Sequence, residues 1–301
     1  MILFTLPPHQ RLADALEHLA PLEHGSCGVT RFPNGELHAT VATPPAGRAC
    51  VLLGSIAPPD ERLLSTLLLG HTLRTEGARS VTALLPYLGY ARHDRAEAGK
   101  SRATAWVGEL LRASGVAGVV TIDVHSDLVH SLFPMPVHSL SPARLFADEV
   151  AALALADPTI VAPDEGALDR CQAMRRLAGI ERPLAHFAKT RTADGITHST
   201  LHGTVGRQAV VVDDILDTGG TLVSVCEALQ RAGVEDITIM ATHGLFTGTR
   251  WERLWSLGVA RIYCTDTTPL PDRLTSSRVM MLSVASLLAG HLNGMVEPPD
   301  R

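Results

Sequence analysis

The sequence predicts an α/β protein of two tandem, related domains, each a mostly parallel sheet flanked by helices, and three observations predict it. Short, fully apolar runs alternate with longer segments of helical period, as strands buried on both faces of a parallel sheet require. Helical segments close on glycine, the residue that stops a helix at its C-terminal end. A strand, loop, helix and strand unit also occurs twice, which favours a division near Leu140–Pro142 over one continuous doubly wound sheet.

The strands are placed at CVLLG (50–54), VTALL (81–85), VVTI (119–122), TIVA (159–162), PLAHFA (183–188), AVVVD (209–213) and ITIMA (237–241). The segments LLSTLLLGHTLRTEG (63–77), TAWVGELLRASG (104–115) and LVSVCEALQRAG (222–233) read as helices. In the last, Leu222, Val225, Cys226 and Leu229 fall at i, i+3, i+4 and i+7, one apolar stripe. The repeat is legible in "RTEGARSVTALLPYLGYAR" (74–92) against "RAGVEDITIMATHGLFTG" (231–248). Each copy has a helix end, a glycine, a strand and a loop with glycine and an aromatic ring. The expected domains are 1–141, joined by a C-terminal helix at 280–301, and 142–279. Segment Arg31–Val41 carries Pro33-Asn34-Gly35 between flanks of strand character and reads as a protruding hairpin.

Composition narrows the function. The chain has 301 residues, 46% of them hydrophobic, and a net charge of −5. It has no basic run interleaved with aromatics, so a nucleic-acid partner is not expected. The start, MILFTLPPHQ, lacks the charged region and long apolar core of a signal peptide, and no apolar run is long enough to span a bilayer. Five scattered cysteines with no CxxC and no zinc spacing read as reduced thiols of a cytoplasmic chain. Lys100 and Lys189 are the only lysines beside 24 arginines, which makes them candidates for work needing a compact ammonium rather than a planar fork.

The stretch "VVVDDILDTGGTL" (210–222) combines two preferences that conflict. Asp217, Thr218, Gly219, Gly220 and Thr221 lie between a strand and the amino end of a helix, where backbone N–H groups and the helix dipole favour a phosphate. Asp213 and Asp214 would repel that phosphate. A sugar phosphate removes the conflict: the loop holds the phosphate, while the carboxylates take ribose hydroxyls or a divalent cation. No Walker A pattern is present.

This stretch resembles the phosphoribosyl-pyrophosphate binding motif of the phosphoribosyltransferase fold. Six further segments extend the resemblance to the ribose-phosphate diphosphokinase (phosphoribosyl-pyrophosphate synthetase) family along nearly the whole chain. They are "RFPNGELHATV" (31–41), "PYLGYARHDR" (86–95), "TIDVHSD" (121–127), "APDEGA" (162–167), "AKTR" (188–191) and "ATHGLFTG" (241–248), in the family's order. The resemblance implies two phosphoribosyltransferase-like domains, ATP on the first and ribose 5-phosphate on the second. It implies transfer of the diphosphoryl group of ATP to the 1-hydroxyl of the sugar, giving phosphoribosyl pyrophosphate and AMP.

Roles are carried over on the matching positions. Lys189 and Arg191 would be catalytic, stabilising the charged oxygens of the transferring group. Asp213, Asp214, Asp217, Thr218, Gly219, Gly220 and Thr221 would bind ribose 5-phosphate, with Arg191 helping. Phe32, Asn34, Gly35 and Glu36 would bind ATP around its adenine, and Arg92, His93 and Asp94 near its phosphates. His125 and Asp164 match the magnesium positions, so Mg²⁺ is the implied cofactor. A homodimer or higher homo-oligomer with a shared active site is implied as well. Asn34 stands where the family usually has Asp, and His93 where it has Gln. PDEGA and KTR are closer to the archaeal-like form of the family.

Plainer readings stand beside these. His125 ends a strand, Asp164 is placed to cap a helix, Phe32 is a candidate for core packing, and Asp94 with Arg95 a surface ion pair. Two other functions stay open: a catalytically weak or inactive relative acting as a regulatory subunit, and a phosphoribosyltransferase consuming the same sugar. Retention of Lys189, Arg191, His125 and the loop argues against the first. Two copies of the domain and a separate ATP-like constellation argue against the second.

Overall fold

The computed structural model describes residues 1–96, 98–191, 197–271, 274 and 276–295, with backbone alone at 189–191 and 197–199, and fifteen short strands lie within them. The chain divides into two compact units, Met1–Leu140 with Ser283–Arg301, and Ser141–Leu282. All five cysteines are free thiols, and no helix among the described residues is long and apolar enough to cross a membrane.

The first unit runs β1 (Ile2–Thr5), α1 (Gln10–Leu19), β2 (Glu23–Gly25), β3 (Cys27–Arg31), β4 (Leu37–Val41), β5 (Ala49–Leu53), α2 (Glu61–Thr75), β6 (Ser80–Leu84), α3 (Ala103–Ala113), β7 (Gly118–Ile122), α4 (Leu128–Leu132) and β8 (Val137–Leu140). Its six-stranded sheet has the order β2-β1-β5-β6-β7-β8, with every neighbouring pair parallel. β3 and β4 pair antiparallel in a two-stranded sheet of their own. Leu52, Leu69, Leu73, Val81 and Leu111 are fully buried together. Each large side chain removed from water in this way contributes roughly 1.5–3 kcal/mol.

The second unit runs α5 (Ala143–Ala152), β9 (Pro158–Ala162), a 3-10 turn Glu165–Ala167, α6 (Leu168–Leu177), β10 (Ala185–Arg191), β11 (Thr197–His202), β12 (Gln208–Leu216), α7 (Gly220–Arg231), β13 (Asp236–Gly244), a 3-10 segment Arg250–Leu257, β14 (Val259–Thr265) and β15 (Val279–Leu282). The order is β11-β10-β9-β12-β13-β14-β15, parallel except for the edge strand β11. Alternation along β12 shows that both faces are covered. Val211 joins the cluster under α7 with Leu222, Val225 and Leu229, while Val210 and Val212 join the opposite one with Phe146 and Cys171. The last helix, α8 (Ala285–Met295), returns to the first unit, where Asn293 Nδ2 donates to Leu19 O at the end of α1 (3.4 Å).

The repeat corresponds to β5-α2-β6 and β12-α7-β13, each a parallel strand pair joined through a helix. Helices α2, α3 and α7 stop at Gly77, Gly115 and Gly233, all with left-handed backbone (φ +86°, +89° and +90°). Several expected boundaries differ: β13 runs on to Gly244 rather than ending at 241, and residues 280–282 belong to β15 of the second unit rather than to the C-terminal helix, which begins at Ala285. Strand β12 continues past residue 213 to Leu216, because its ladder with β13 resumes at Ile215–His243 and Leu216–Gly244. Strand β10 continues to Arg191, held by an antiparallel ladder to β11, a polar strand with no apolar run to announce it.

Candidate active site

In the second unit the conflict between carboxylates and phosphate loop takes a definite shape. Asp213 and Asp214 stand on the last turns of the β12 ladder, not beyond it, and Asp217, Thr218 and Gly219 bridge to α7. Asp214 is buried, Asp213 is half-buried, and the Asp214 amide donates to Asp213 Oδ1 (2.9 Å). Burial and the adjacent Asp214 carboxylate push the Asp213 carboxyl well above the ordinary carboxylate range; Asp164 raises it further and Arg170 opposes the rise.

The sheet order explains that company. β9 is the neighbour of β12, so Asp164, two residues past β9, and Arg170, on α6, belong to the same end of the sheet as Asp213. Asp164 occupies the residue before the 3-10 turn in extended backbone, but its side chain makes no capping hydrogen bond there. Helix capping therefore does not account for it. Lys189 and Arg191 lie on β10, on the other side of β9, paired through the backbone with Ser199 and Thr197. Their side chains lie outside the described residues.

The loop itself is built around Gly219, which precedes α7 with φ +80°. Only glycine adopts that conformation without strain, and here space forbids a side chain as well: a Cβ would lie 2.7 Å from the Cα of Trp251. The motif ATHGLFTG supplies the other wall. Leu245 and Phe246 amides donate to Leu216 O (2.8 and 3.2 Å), and the Thr247 amide donates to Asp217 O (3.1 Å). Phe246 packs edge-on against Trp251, whose Nε1 donates to Gly248 O (3.2 Å). Thr218 and Thr221 are exposed beside the first amides of α7, an arrangement ready for an anion.

In the first unit the two segments matched to ATP are tied to one place. The β3–β4 hairpin turns through Pro33-Asn34-Gly35, with Asn34 Oδ1 accepting from the Glu36 amide (3.1 Å) and Phe32 N donating to Glu36 O (2.9 Å). Arg31 pairs with Glu61 at the start of α2. The loop after β6 reaches the neighbouring residue, where the Tyr90 phenol donates to Asp60 and is pushed up to about 12 by that bond. Gly89 allows the approach: a Cβ there would lie 2.3 Å from Ile56 O. Phe32 is 49% exposed, touching the His38 ring at 4.9 Å between centroids, so core packing does not describe it. Arg92 and His93 are exposed, whereas Asp94 is 6% exposed, which rules out a surface pair with Arg95.

His125, also in the first unit, is exposed and follows Asp123, whose φ of +47° is unusual for a residue with a side chain. Asp123 N donates to Leu140 O (2.9 Å) and Val124 N to Ser139 Oγ (3.1 Å), which hold that turn. Among the described residues no three His, Cys, Asp or Glu side chains gather as a metal cage. A magnesium ion needs none, since it takes one or two protein donors and substrate phosphates. The excess of negative charge around Asp213 and Asp164 fits such a cation.

Sequence reasoning missed Arg170 as the counter-charge to Asp213 and Trp251 as the wall behind Gly219. Neither carries a local signal, because each acts on a residue more than thirty positions away in the chain.

Comparison with known proteins covers both units. A family model described as the N-terminal domain of ribose phosphate pyrophosphokinase matches residues 1–115, and one described as a phosphoribosyl transferase domain matches residues 142–253. A ribose-phosphate pyrophosphokinase of Streptomyces avermitilis is 31% identical over 304 residues, covering 99% of this chain and 93% of that protein. One from Methanothermobacter thermautotrophicus is 33% identical over 282 residues, covering 92% and 93%. The crystal structure of phosphoribosylpyrophosphate synthetase from Mycobacterium smegmatis matches with a TM-score of 0.88 at 28% identity, covering 98% of each chain.

Proposed function

This chain belongs to the ribose-phosphate pyrophosphokinase family, and on that premise we propose how its residues divide the work. The enzyme transfers the β,γ-diphosphoryl group of ATP to the 1-hydroxyl of ribose 5-phosphate. The hydroxyl oxygen bonds to the β-phosphorus, the bond from that phosphorus to the α-phosphate oxygen breaks, and AMP leaves with the oxygen. The hydroxyl proton is lost to solvent. No protein nucleophile is needed, so the residues align the substrates and neutralise charge.

The loop Asp217–Thr221 holds the 5-phosphate on the α7 amides, and Asp213, with Asp214 behind it, takes the ribose hydroxyls. Lys189 and Arg191 neutralise the transferring group, and Arg191 also helps hold the sugar phosphate. Phe32, Asn34, Gly35 and Glu36 form the adenine side of the ATP site, and Arg92, His93 and Asp94 its phosphate side. His125, in the first unit, and Asp164, in the second, would each serve as a ligand position for Mg²⁺, and the ion would neutralise phosphate oxygens. The half-exposed Phe32 at the tip of a hairpin suits a site completed by a second copy of the chain, in a homodimer or larger assembly. Free thiols throughout suit the reducing cytoplasm.

The observation that carries this reading is the α7 loop set directly behind the Asp213 and Asp214 carboxylates, which suits a phosphate joined to a polyol. Incubation with ribose 5-phosphate, ATP and Mg²⁺, followed by phosphorus NMR, should show AMP and a diphosphoryl group on C1. Absence of AMP would leave the inactive, regulatory reading. Release of a base-linked product only when a nucleobase and phosphoribosyl pyrophosphate are supplied would favour the transferase.

A further inference from the structure

The 3-10 segment that presses Trp251 against Gly219 begins one residue earlier with Arg250, and that arginine leans over the phosphate loop. Its Nη1 lies 3.5 Å, and its Cζ 3.6 Å, from the point a Cβ on Gly220 would occupy. Thr218 Oγ1 lies 3.8 Å from the same point. A Cβ stands about 2.5 Å from its own amide nitrogen, so the guanidinium lies within about 6 Å of the Gly220 amide. Two hydrogen bonds of about 2.9 Å to two oxygens of one phosphate bridge that separation.

The charge is arranged in the same sense. Arg253, one turn further on, is paired with Glu227 (2.8 Å). Arg250 is exposed, and among the described residues no ion pair joins it to a carboxylate. Its positive charge therefore stands beside the positive end of α7, an arrangement of like signs that a dianion relieves. We propose that Arg250 is a further binding residue of the ribose 5-phosphate site, closing on the 5-phosphate from the side opposite the backbone amides and enforcing selection of a phosphorylated sugar. This rests on the loop being the sugar-phosphate site. A planar fork on two phosphate oxygens suits Arg better than Lys.

The test compares the parent enzyme with Arg250→Ala and Arg250→Lys. Arg250→Ala should raise the KM for ribose 5-phosphate about tenfold, with kcat within about twofold and the KM for ATP unchanged. Arg250→Lys should recover part of the loss. Calorimetry should show the same weakening for ribose 5-phosphate and none for any residual binding of ribose. An unchanged KM and Kd in Arg250→Ala would overturn the proposal. So would a loss carried by kcat together with a lowered Tm and no recovery in Arg250→Lys, which marks a structural role. If the parent enzyme released no AMP, the assigned reaction alone would fail, because calorimetry would still read Arg250.

Discussion

The backbone of Trp251 stands where a side chain on Gly219 would have to go, with Cα 2.7 Å from the ideal Cβ position. Gly219 also holds φ +80°, so two independent constraints fall on one residue of the phosphate loop. Gly219→Ala should cost about 1–3 kcal/mol of stability through strain and displace either the loop or the Trp251 wall. The KM for ribose 5-phosphate should rise at least about tenfold. Thermal unfolding and steady-state kinetics check both effects, and a variant with parental Tm and KM would show that the loop tolerates the methyl group.

Asp213 gives a prediction with a pH signature. Its carboxyl is raised by burial and by Asp214, so above the ordinary carboxylate value of about 4 the folded ligand-free chain binds more protons than the unfolded one. Stability therefore falls as pH rises from that value through the raised pKa, and the full cost persists above it. Asp213→Asn removes the cost. The ligand-free variant should melt higher than its parent at pH 7, with the difference closing toward about pH 4. The same variant should bind ribose 5-phosphate about tenfold more weakly and require more Mg²⁺. Unchanged sugar and metal binding by calorimetry would remove Asp213 from the site.

Lys189 is one of only two lysines and sits on β10 beside β9. If it neutralises the transferring diphosphoryl group, Lys189→Ala should lower kcat by at least ~100-fold, about 2.7 kcal/mol. Binding of ribose 5-phosphate should hardly change. Near-parental turnover would take Lys189 out of the mechanism.

Phe32 and Lys189 together test whether the site is shared between subunits. Chains carrying Phe32→Ala or Lys189→Ala should each be nearly inactive. Unfolded and refolded together, they should recover partial activity, since some mixed dimers own one site with both residues intact. Sedimentation showing an active monomer, or no recovery in verified mixed dimers, would confine the chemistry to one chain.

By itself, the sequence determined the α/β class, seven strands, the helices α2, α3 and α7 with their glycine stops, and the loop at the start of α7. These are written in near neighbours: apolar runs, a period of 3.6 and a stop residue act over a few positions. The edge strand β11 is polar and had no such signal, because it exists through its antiparallel ladder to β10, and strands β1, β2, β8, β14 and β15 were not placed from the sequence either. The residue types of DDILDTGGT announced a sugar-phosphate loop. Only the tertiary structure decided that β12 continues through Asp214, that Asp214 is buried, and that Arg170, Trp251 and Arg250 face the loop and its carboxylates. The reason is the order of the sheet: which strand ends stand side by side depends on pairing between distant segments, and no local spacing records it.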